Sequence, residues 1–311
     1  MTMQETRAFL ERLGLPGSEA GPLPDSPKRF PDGCQYRVEI PSTEGPRALQ
    51  AVIEAGKRYE VPIHRVSQGS GIMLMTDAEI REMLKLGRDH GMEVSLFVGP
   101  RAQWDIGGQV KSLAGNVIAC NQRGTEQLVY AIEDIKRGCG LGLRGVLIAD
   151  PGLLWVTHQM KQAGELPANL VIKTSVQLPT ANPASARVWQ TLGAGTLNIA
   201  VDLSPAQVWG IRQATDLPLD IYVEAPDGFG GFVRHYEVPE LVRIASPMYV
   251  KLGLRNSPDI YPYGTHLENT AVALSVERVR RARIALDLIE RYYPEATMSR
   301  VGAEDLAIPE A

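Results

Sequence analysis

The chain has 311 residues, 44% hydrophobic and 22% charged, with a formal net charge of −4. That is the composition of a soluble globular protein, long enough for two domains or for one large α/β barrel. The mild acidity without a Lys/Arg run argues against nucleic-acid binding, no apolar run approaches the roughly 18 residues of a membrane span, and Cys34, Cys120 and Cys139 are too few and too scattered for a disulfide framework or a Cys-rich metal site.

The opening "MTMQETRAFLERLGLPG" reads as a short amphipathic helix without the apolar stretch of a signal peptide, so a cytoplasmic setting is expected. Residues 15–33, dense in Pro, Gly and Ser, read as an irregular leader. Beyond it, short β-like runs at 36–41, 62–67, 93–98, 145–150, 170–175, 196–202, 219–225 and 248–253 alternate with helical patterns such as "TDAEIREMLKLGRDHG" and "EQLVYAIEDIKRG". A ninth run, "NVIACN" at 116–121, is assigned to a long insertion after the third strand. Eight strands predict a single (β/α)8 barrel over 34–295, preceded by a helix and leader (1–33) and followed by a tail (296–311). The rival is an open doubly wound sheet; its dinucleotide form is disfavoured because no Gly-x-Gly-x-x-Gly turn follows the first strand.

Strand residues point alternately to the two faces. Directing the apolar alternates outward leaves Arg37 and Glu39, Ser95 and Phe97, Lys173 and Ser175, Asn198 and Asp202, Asp220, Tyr222 and Glu224, and Tyr249, Lys251, Gly253 and Arg255 pointing inward. Barrel interiors are ordinarily filled with branched apolar side chains. Buried charges must pair, meet water or meet a ligand. A network of structural ion pairs is one reading of this set, and an active site is the other. Barrel active sites lie at the C-terminal strand ends, which promotes Glu39, Asp150, Ser175, Asp202, Glu224, Lys251 and Arg255.

The stretch 171–225 resembles the collagenase-like peptidase family, number thirty-two among peptidases of unassigned catalytic type. The order is a strand followed by Gln177, then Asn182 opening a helix that ends in Trp189, Leu192 and Gly193, then a strand with an acidic end, and Leu203-Ser204 opening the next helix. The resemblance implies a barrel, and it draws Gln177 into the candidate substrate site. Many members follow the seventh strand with His-Gly and cysteines that can hold an iron–sulfur cluster. Here Glu224 is followed by Ala225-Pro226 and no cysteine follows Cys139, so no cluster is expected.

The remaining candidates follow from residue type. After the seventh strand, "APDGFGGFVRHYE" carries Gly228, Gly230 and Gly231, which permit close backbone approach to a ligand, beside Arg234 and His235; a surface loop is the alternative. Arg255, with Asn256 next to it, could hold a carboxylate or phosphate. Lys173 and Lys251 could form a Schiff base, or could pair with Asp202, Glu224 or Glu39. His64, Glu39 and Glu224, on strands adjacent around a closed barrel, could hold a divalent metal; a structural histidine is the alternative. The long segment 255–272 has the character of a lid that would carry His266 and Glu268 to the site, or of a packing or oligomer contact through Tyr261 and Tyr263. Cys120 has no identified His partner, and no Gly-x-Ser-x-Gly or His-Glu-x-x-His motif occurs.

The sequence thus leads to acid–base lyase or isomerase chemistry on a small anionic, carbonyl-bearing metabolite. Catalysis would fall to Glu39, Lys173, Asp202, Glu224 and Lys251, and binding to Arg37, Ser175, Gln177, Tyr222, Gly230, Arg255, Asn256 and His266. The alternatives are a peptidase or amidohydrolase of the resembled family, or a ligand-binding barrel without catalysis.

Overall fold

In the computed structural model, residues 3–178 and 180–310 are described; Met1, Thr2, Pro179 and Ala311, at the ends of the leader and tail and within the resembling stretch, lie outside them. The elements in chain order are α1 (Met3–Arg12), β1 (Tyr36–Ile40), α2 (Gly45–Arg58), β2 (Arg65–Gln68), α3 (Asp77–Asp89), β3 (Glu93–Phe97) and α4 (Gly124–Gly140). Then come β4 (Gly145–Ile148), α5 (Pro151–Gln162), β5 (Val171–Thr174), α6 (Pro183–Thr191), β6 (Leu197–Asn198), α7 (Pro205–Ala214), β7 (Leu219–Glu224), α8 (Val238–Ala245), β8 (Met248–Leu252) and α9 (Glu268–Tyr292). The strands pair in parallel in the order β5-β4-β3-β2-β1-β8-β7-β6. The seam between β5 and β6 is closed by a bridge between Lys173 and Thr196, with Gly195 N donating to Ile172 O at 2.8 Å and Thr174 N to Thr196 O at 3.1 Å. The chain is a single (β/α)8 barrel.

Local chemistry explains several helix starts. Thr76, Asn182 and Ser204 each accept from a backbone N–H three residues on, in reciprocal capping boxes that open α3, α6 and α7. The outward alternates, among them Val38, Ile40, Val94, Leu96, Ile172, Leu219 and Val250, join one apolar core with the helix residues Leu49, Val52, Ile80, Leu154 and Val279. Burying a side chain of that size stabilises by roughly 1.5–3 kcal/mol, so this shell between strands and helices carries the fold.

Two of the expected elements change. The run 116–121 is no strand; residues Gly115–Ile118 form a short 3-10 turn within the long segment between β3 and α4. The sixth strand is cut to Leu197–Asn198, because Ala200 N leaves the sheet to donate to Thr180 O at 3.0 Å.

The N-terminal face of the barrel is closed by both chain ends. Phe30 of the leader lies buried under the barrel, with the Arg37 guanidinium 3.8 Å from its ring centroid. Asp305 of the tail takes two hydrogen bonds from Arg37, at 2.9 and 2.6 Å. At the C-terminal face the covers are the β3–α4 segment and the segment from Gly253 to α9. Among the described residues no helix is long and apolar enough to cross a membrane.

Candidate active site

The lumen is polar, as the alternation predicts, and it is built as a layered ionic network. Lowest lies Tyr249, whose ring carries the Arg65 guanidinium at 3.6 Å. Arg65 bonds Glu93 at 2.7 Å through Nε, and Asp220 at 2.9 Å and Glu39 at 3.3 Å through Nη1. Above it, Lys173 Nζ donates to Glu39 Oε2 at 2.7 Å and also to Asp220. Glu39 Oε1 accepts from Ser67 Oγ at 2.8 Å and meets Lys251 Nζ at 3.2 Å.

All six charged groups of this cluster are buried. Three cations face three carboxylates, so no net charge is left in the low-dielectric interior. Taking each ion out of water costs several kcal/mol, and only dense pairing offsets it. Burial opposes ionisation of Glu39, but Lys173, Lys251 and Arg65 overcome it and hold its carboxyl well below the usual carboxylate range. Burial pulls Lys173 down to about 8, against the opposing attraction of Asp220 and Glu39.

Lys251 is the uppermost of the cations. With the Asn198 amide turned so that its oxygen faces donors, that oxygen accepts from Lys251 Nζ at 2.8 Å and from Val176 N at 3.2 Å. The same ammonium stands 4.5 Å from the ring centroid of Tyr222. Lys251 is therefore the link between the lumen network and the mouth.

Around the mouth lie groups that the sequence reading did not single out. Glu44, fully buried immediately before α2, accepts from Gly69 N at 2.6 Å and Ser70 N at 3.3 Å; burial raises its pKa despite those bonds. Arg101, from the β3–α4 segment, is sandwiched between Phe97 and Trp104, with its guanidinium 3.8 and 4.0 Å from the two ring centroids, and donates to Gly69 O. Arg278 of α9 donates to Ser42 O at 3.1 Å. Tyr261 packs on Gly69 so closely that a Cβ there would lie 2.6 Å from its ring. Cys120 donates to Gln177 Oε1 at 2.6 Å, and burial pushes its thiol up to about 11, which leaves it a poor nucleophile.

Of the sequence-predicted residues, Glu39, Lys173, Tyr222 and Lys251 come together in the lumen. Ser175 is buried at the end of β5, where its hydroxyl accepts from Gln177 N at 3.2 Å, and this places both beside Cys120. Glu224 does not join them. A register shift between β7 and β8 pairs Tyr222 with Lys251 but Glu224 with Leu252, so the bulge turns Glu224 to the helix side. There it accepts from His235 Nε2 at 3.2 Å and from Arg255 N at 3.0 Å, with Arg281 of α9 at 3.7 Å.

Other expectations are corrected for equally local reasons. Asp202 lies past the shortened β6 in an exposed turn, and Asp150 caps α5 by accepting from Leu153 N at 2.8 Å. Arg255 and Asn256 lie beyond β8 and are exposed, as are Gly230 and His266. Glu268 pairs with Arg47 on the surface, and Tyr261 and Tyr263 pack within the chain, the latter against Gly45. Arg37 belongs to the opposite, N-terminal face, held by Asp305 and Ser299. His64 is there too. Its Nδ1 accepts from Val38 N at 3.1 Å and its Nε2 donates to Ser299 O at 2.7 Å, so both ring nitrogens are committed. Among the described residues, no three His, Cys, Asp or Glu side chains form a group that could hold a metal ion.

Arg278 had a readable signal. It stands in the buried stripe Ala271, Ser275, Arg278, Ala282, Ala285 and Ile289 of α9, where a helix buries apolar side chains. Glu44 and Arg101 carry no such mark, because they sit in loops.

Comparison with known proteins adds one relationship. Residues 112–225 match the model for Peptidase family U32. The likeness is confined to that segment, which is less than half of the chain. The matched segment contributes Cys120, Lys173, Gln177, Asn198, Asp220 and Tyr222 to the centre, while Glu39, Glu44, Arg101, Lys251 and Arg278 come from outside it. No curated protein matches the chain. Among solved structures, the U32 peptidase Mk0906 is 16% identical, with 75% of this chain and 98% of that one covered and a TM-score of 0.45. A putative copper homeostasis protein, CutC from Streptococcus agalactiae, is 11% identical over 69% of this chain and 98% of its own, with a TM-score of 0.47. A 2,3-dimethylmalate lyase is 10% identical over 94% and 96%, with a TM-score of 0.44. At these values none of the three informs the chemistry.

Proposed function

We propose that the chain is an enzyme that carries out acid–base chemistry of the lyase or isomerase type on a small anionic carbonyl compound at the C-terminal mouth. The observation that carries this reading is the position of Lys251. Its Nζ is fixed by Glu39 at 3.2 Å and Asn198 at 2.8 Å at the top of an otherwise closed network. A cation so placed can meet negative charge as it develops on a carbonyl oxygen, in a site with little water to compete. Glu44, a buried carboxyl close to the same mouth whose pKa burial raises, is the candidate for proton transfer there. Substrate entry requires the two covering segments to part, which is the usual work of loops over a barrel mouth.

A hydrolytic reaction on a peptide or amide is the second reading, favoured by the relationship to family U32 over 112–225. The two are separated by incubating the full chain with metabolite mixtures and with peptide mixtures and following both by mass spectrometry. Conversion of a small oxo-acid that is lost in Lys251→Met supports the first reading. Peptide cleavage that survives Lys251→Met replaces it with the second.

A further inference from the structure

The lumen cations are matched one for one by carboxylates, but the two arginines at the mouth have only Glu44 between them. Arg101 is 5% exposed and Arg278 is 3% exposed. A guanidinium has five N–H donors and stays charged. Arg101 donates to Gly69 O and to the Cys120 side chain, and Arg278 donates to Ser42 O. Among the described residues, the Nε of each has no hydrogen-bond partner and neither forms an ion pair with a carboxylate. For both, burial lowers the pKa.

The two side chains belong to one place. Arg101 and Glu44 both bond the Gly69 peptide, one at its oxygen and the other at its nitrogen, and the Tyr261 ring lies on the same glycine. Arg278 reaches that group from the other side through Ser42, two residues before Glu44, and its field is set by Tyr261, Tyr222 and Glu44. Stacking on both faces by Phe97 and Trp104 leaves Arg101 free to bond only in its own plane. A fixed planar fork of that kind matches the two oxygens of a carboxylate. One carboxylate, Glu44, faces two buried cations, and a further anion would balance the second.

We propose that Arg101 and Arg278, converging on Gly69 and Tyr261 beneath the two covering segments, form the subsite that holds a carboxylate of the substrate. The assignment rests on the reading of the mouth as a substrate site and adds the chemical class of the group bound there. Glu44 lies beside this subsite and Lys251 below it, with Tyr222 between, so a carboxylate held by the arginines would direct the rest of a short molecule toward Lys251.

The test uses the full chain with malonate and, separately, inorganic phosphate as probes, followed by calorimetric titration, thermal unfolding and tryptophan fluorescence. Malonate is expected to bind, raise the unfolding temperature and perturb the tryptophan emission, a change that should be lost in Trp104→Phe. Arg101→Met and Arg278→Met are expected to bind malonate at least tenfold more weakly. Without ligand, Arg278→Met should be as stable as the parent or more so, because one of two buried cations that share a single carboxylate has been removed. If either Met variant fails to fold, Arg278→Lys is the substitute, and weakened binding with preserved stability is again expected.

Absence of malonate binding to the parent chain, or full binding by both variants, overturns the proposal. Reduced unliganded stability with unchanged binding makes the arginines structural, and clearly tighter binding of phosphate than of malonate replaces the carboxylate. None of these readings uses turnover. Lys251-dependent activity without anion binding would remove the subsite and leave the proposed reaction standing, whereas anion binding without any Lys251-dependent reaction would do the reverse.

Discussion

Lys251 and Glu39 stand opposite one another in the register of β8 and β1 and touch inside the barrel, Nζ to Oε1 at 3.2 Å. Parallel neighbours direct paired residues to the same face, so the ion pair follows from the strand order alone. Glu39 also takes Lys173 and Ser67, which makes it the hub on which three strands besides its own converge. Its removal tests the network as a whole.

Glu39→Gln is expected to destabilise the barrel by about 3–5 kcal/mol, the cost of leaving buried cations unmatched. Chemical denaturation at neutral pH measures it. The pH arm has a definite sign. The folded-state pKa of Glu39 lies below the ordinary 4.5, so its stabilisation is complete above that pH and is lost as the pH falls further. The difference in stability between parent and variant should therefore shrink in acid. A difference that is constant from pH 6 to pH 3 would contradict the pairing.

His64 gives a second pH dependence at the opposite end of the barrel. Burial lowers its pKa from 6.5 to about 4, against the bond to Ser299 O that favours the proton. Nδ1 already accepts from Val38 N, so protonation there costs that bond. The unfolded chain binds this proton and the folded chain does not, so stability should fall as the pH drops from 6.5 to 4. The full effect is about 3 kcal/mol at roughly 1.4 kcal/mol per pKa unit. His64→Gln, compared with the parent by urea titration at pH 7 and pH 4.5, should abolish most of this component. An equal pH slope in both would assign the loss to other groups.

Glu224 separates the lumen from the helix layer. Turned outward by the bulge and bonded to His235 and Arg255 N, it should matter to the β7 and β8 loops more than to the reacting groups. Once a substrate is in hand, Glu224→Gln is expected to keep turnover within a few fold. Lys251→Met should lose roughly 10²-fold or more, the scale of removing a preorganised electrostatic partner. Steady-state rates of the two variants decide it, and a larger loss in Glu224→Gln would bring that carboxylate back to the chemistry.

These contrasts mark where the sequence was informative. The alternation of short apolar runs with capped helices led to the barrel, because each strand must cover one face with the helix shell. The same period led to Glu39, Lys173, Tyr222 and Lys251. It failed at Glu224, since one extra residue in β7 inverts every later side chain and no residue type announces a bulge. It also failed at Asp202, where the chain leaves the sheet to bond Thr180. Arg37 and His64 were assigned to the wrong end, because a leader and a tail close the N-terminal face through contacts about 235 to 268 residues apart in sequence. Local pattern carries no information about such contacts.

The role of Lys251 can be resolved chemically. A lysine that forms an imine attacks a carbonyl carbon with a free amine lone pair. Here Nζ is ion-paired with Glu39 Oε1, donates to the Asn198 oxygen, and stands 4.5 Å from the centre of the Tyr222 ring. Attack would require the ion pair and the hydrogen bond to be given up in a buried site. An electrostatic partner for the carbonyl oxygen keeps them. Borohydride added during turnover is therefore expected to leave the peptide containing Lys251 at its native mass. Lys251→Arg, which keeps the charge but not the shape, should retain some activity with a raised KM. A reduced adduct on Lys251 would make it the nucleophile instead. An adduct on Lys173, whose pKa is already drawn down to about 8, would move the reactive centre one layer deeper, to the amine between Glu39 and Asp220.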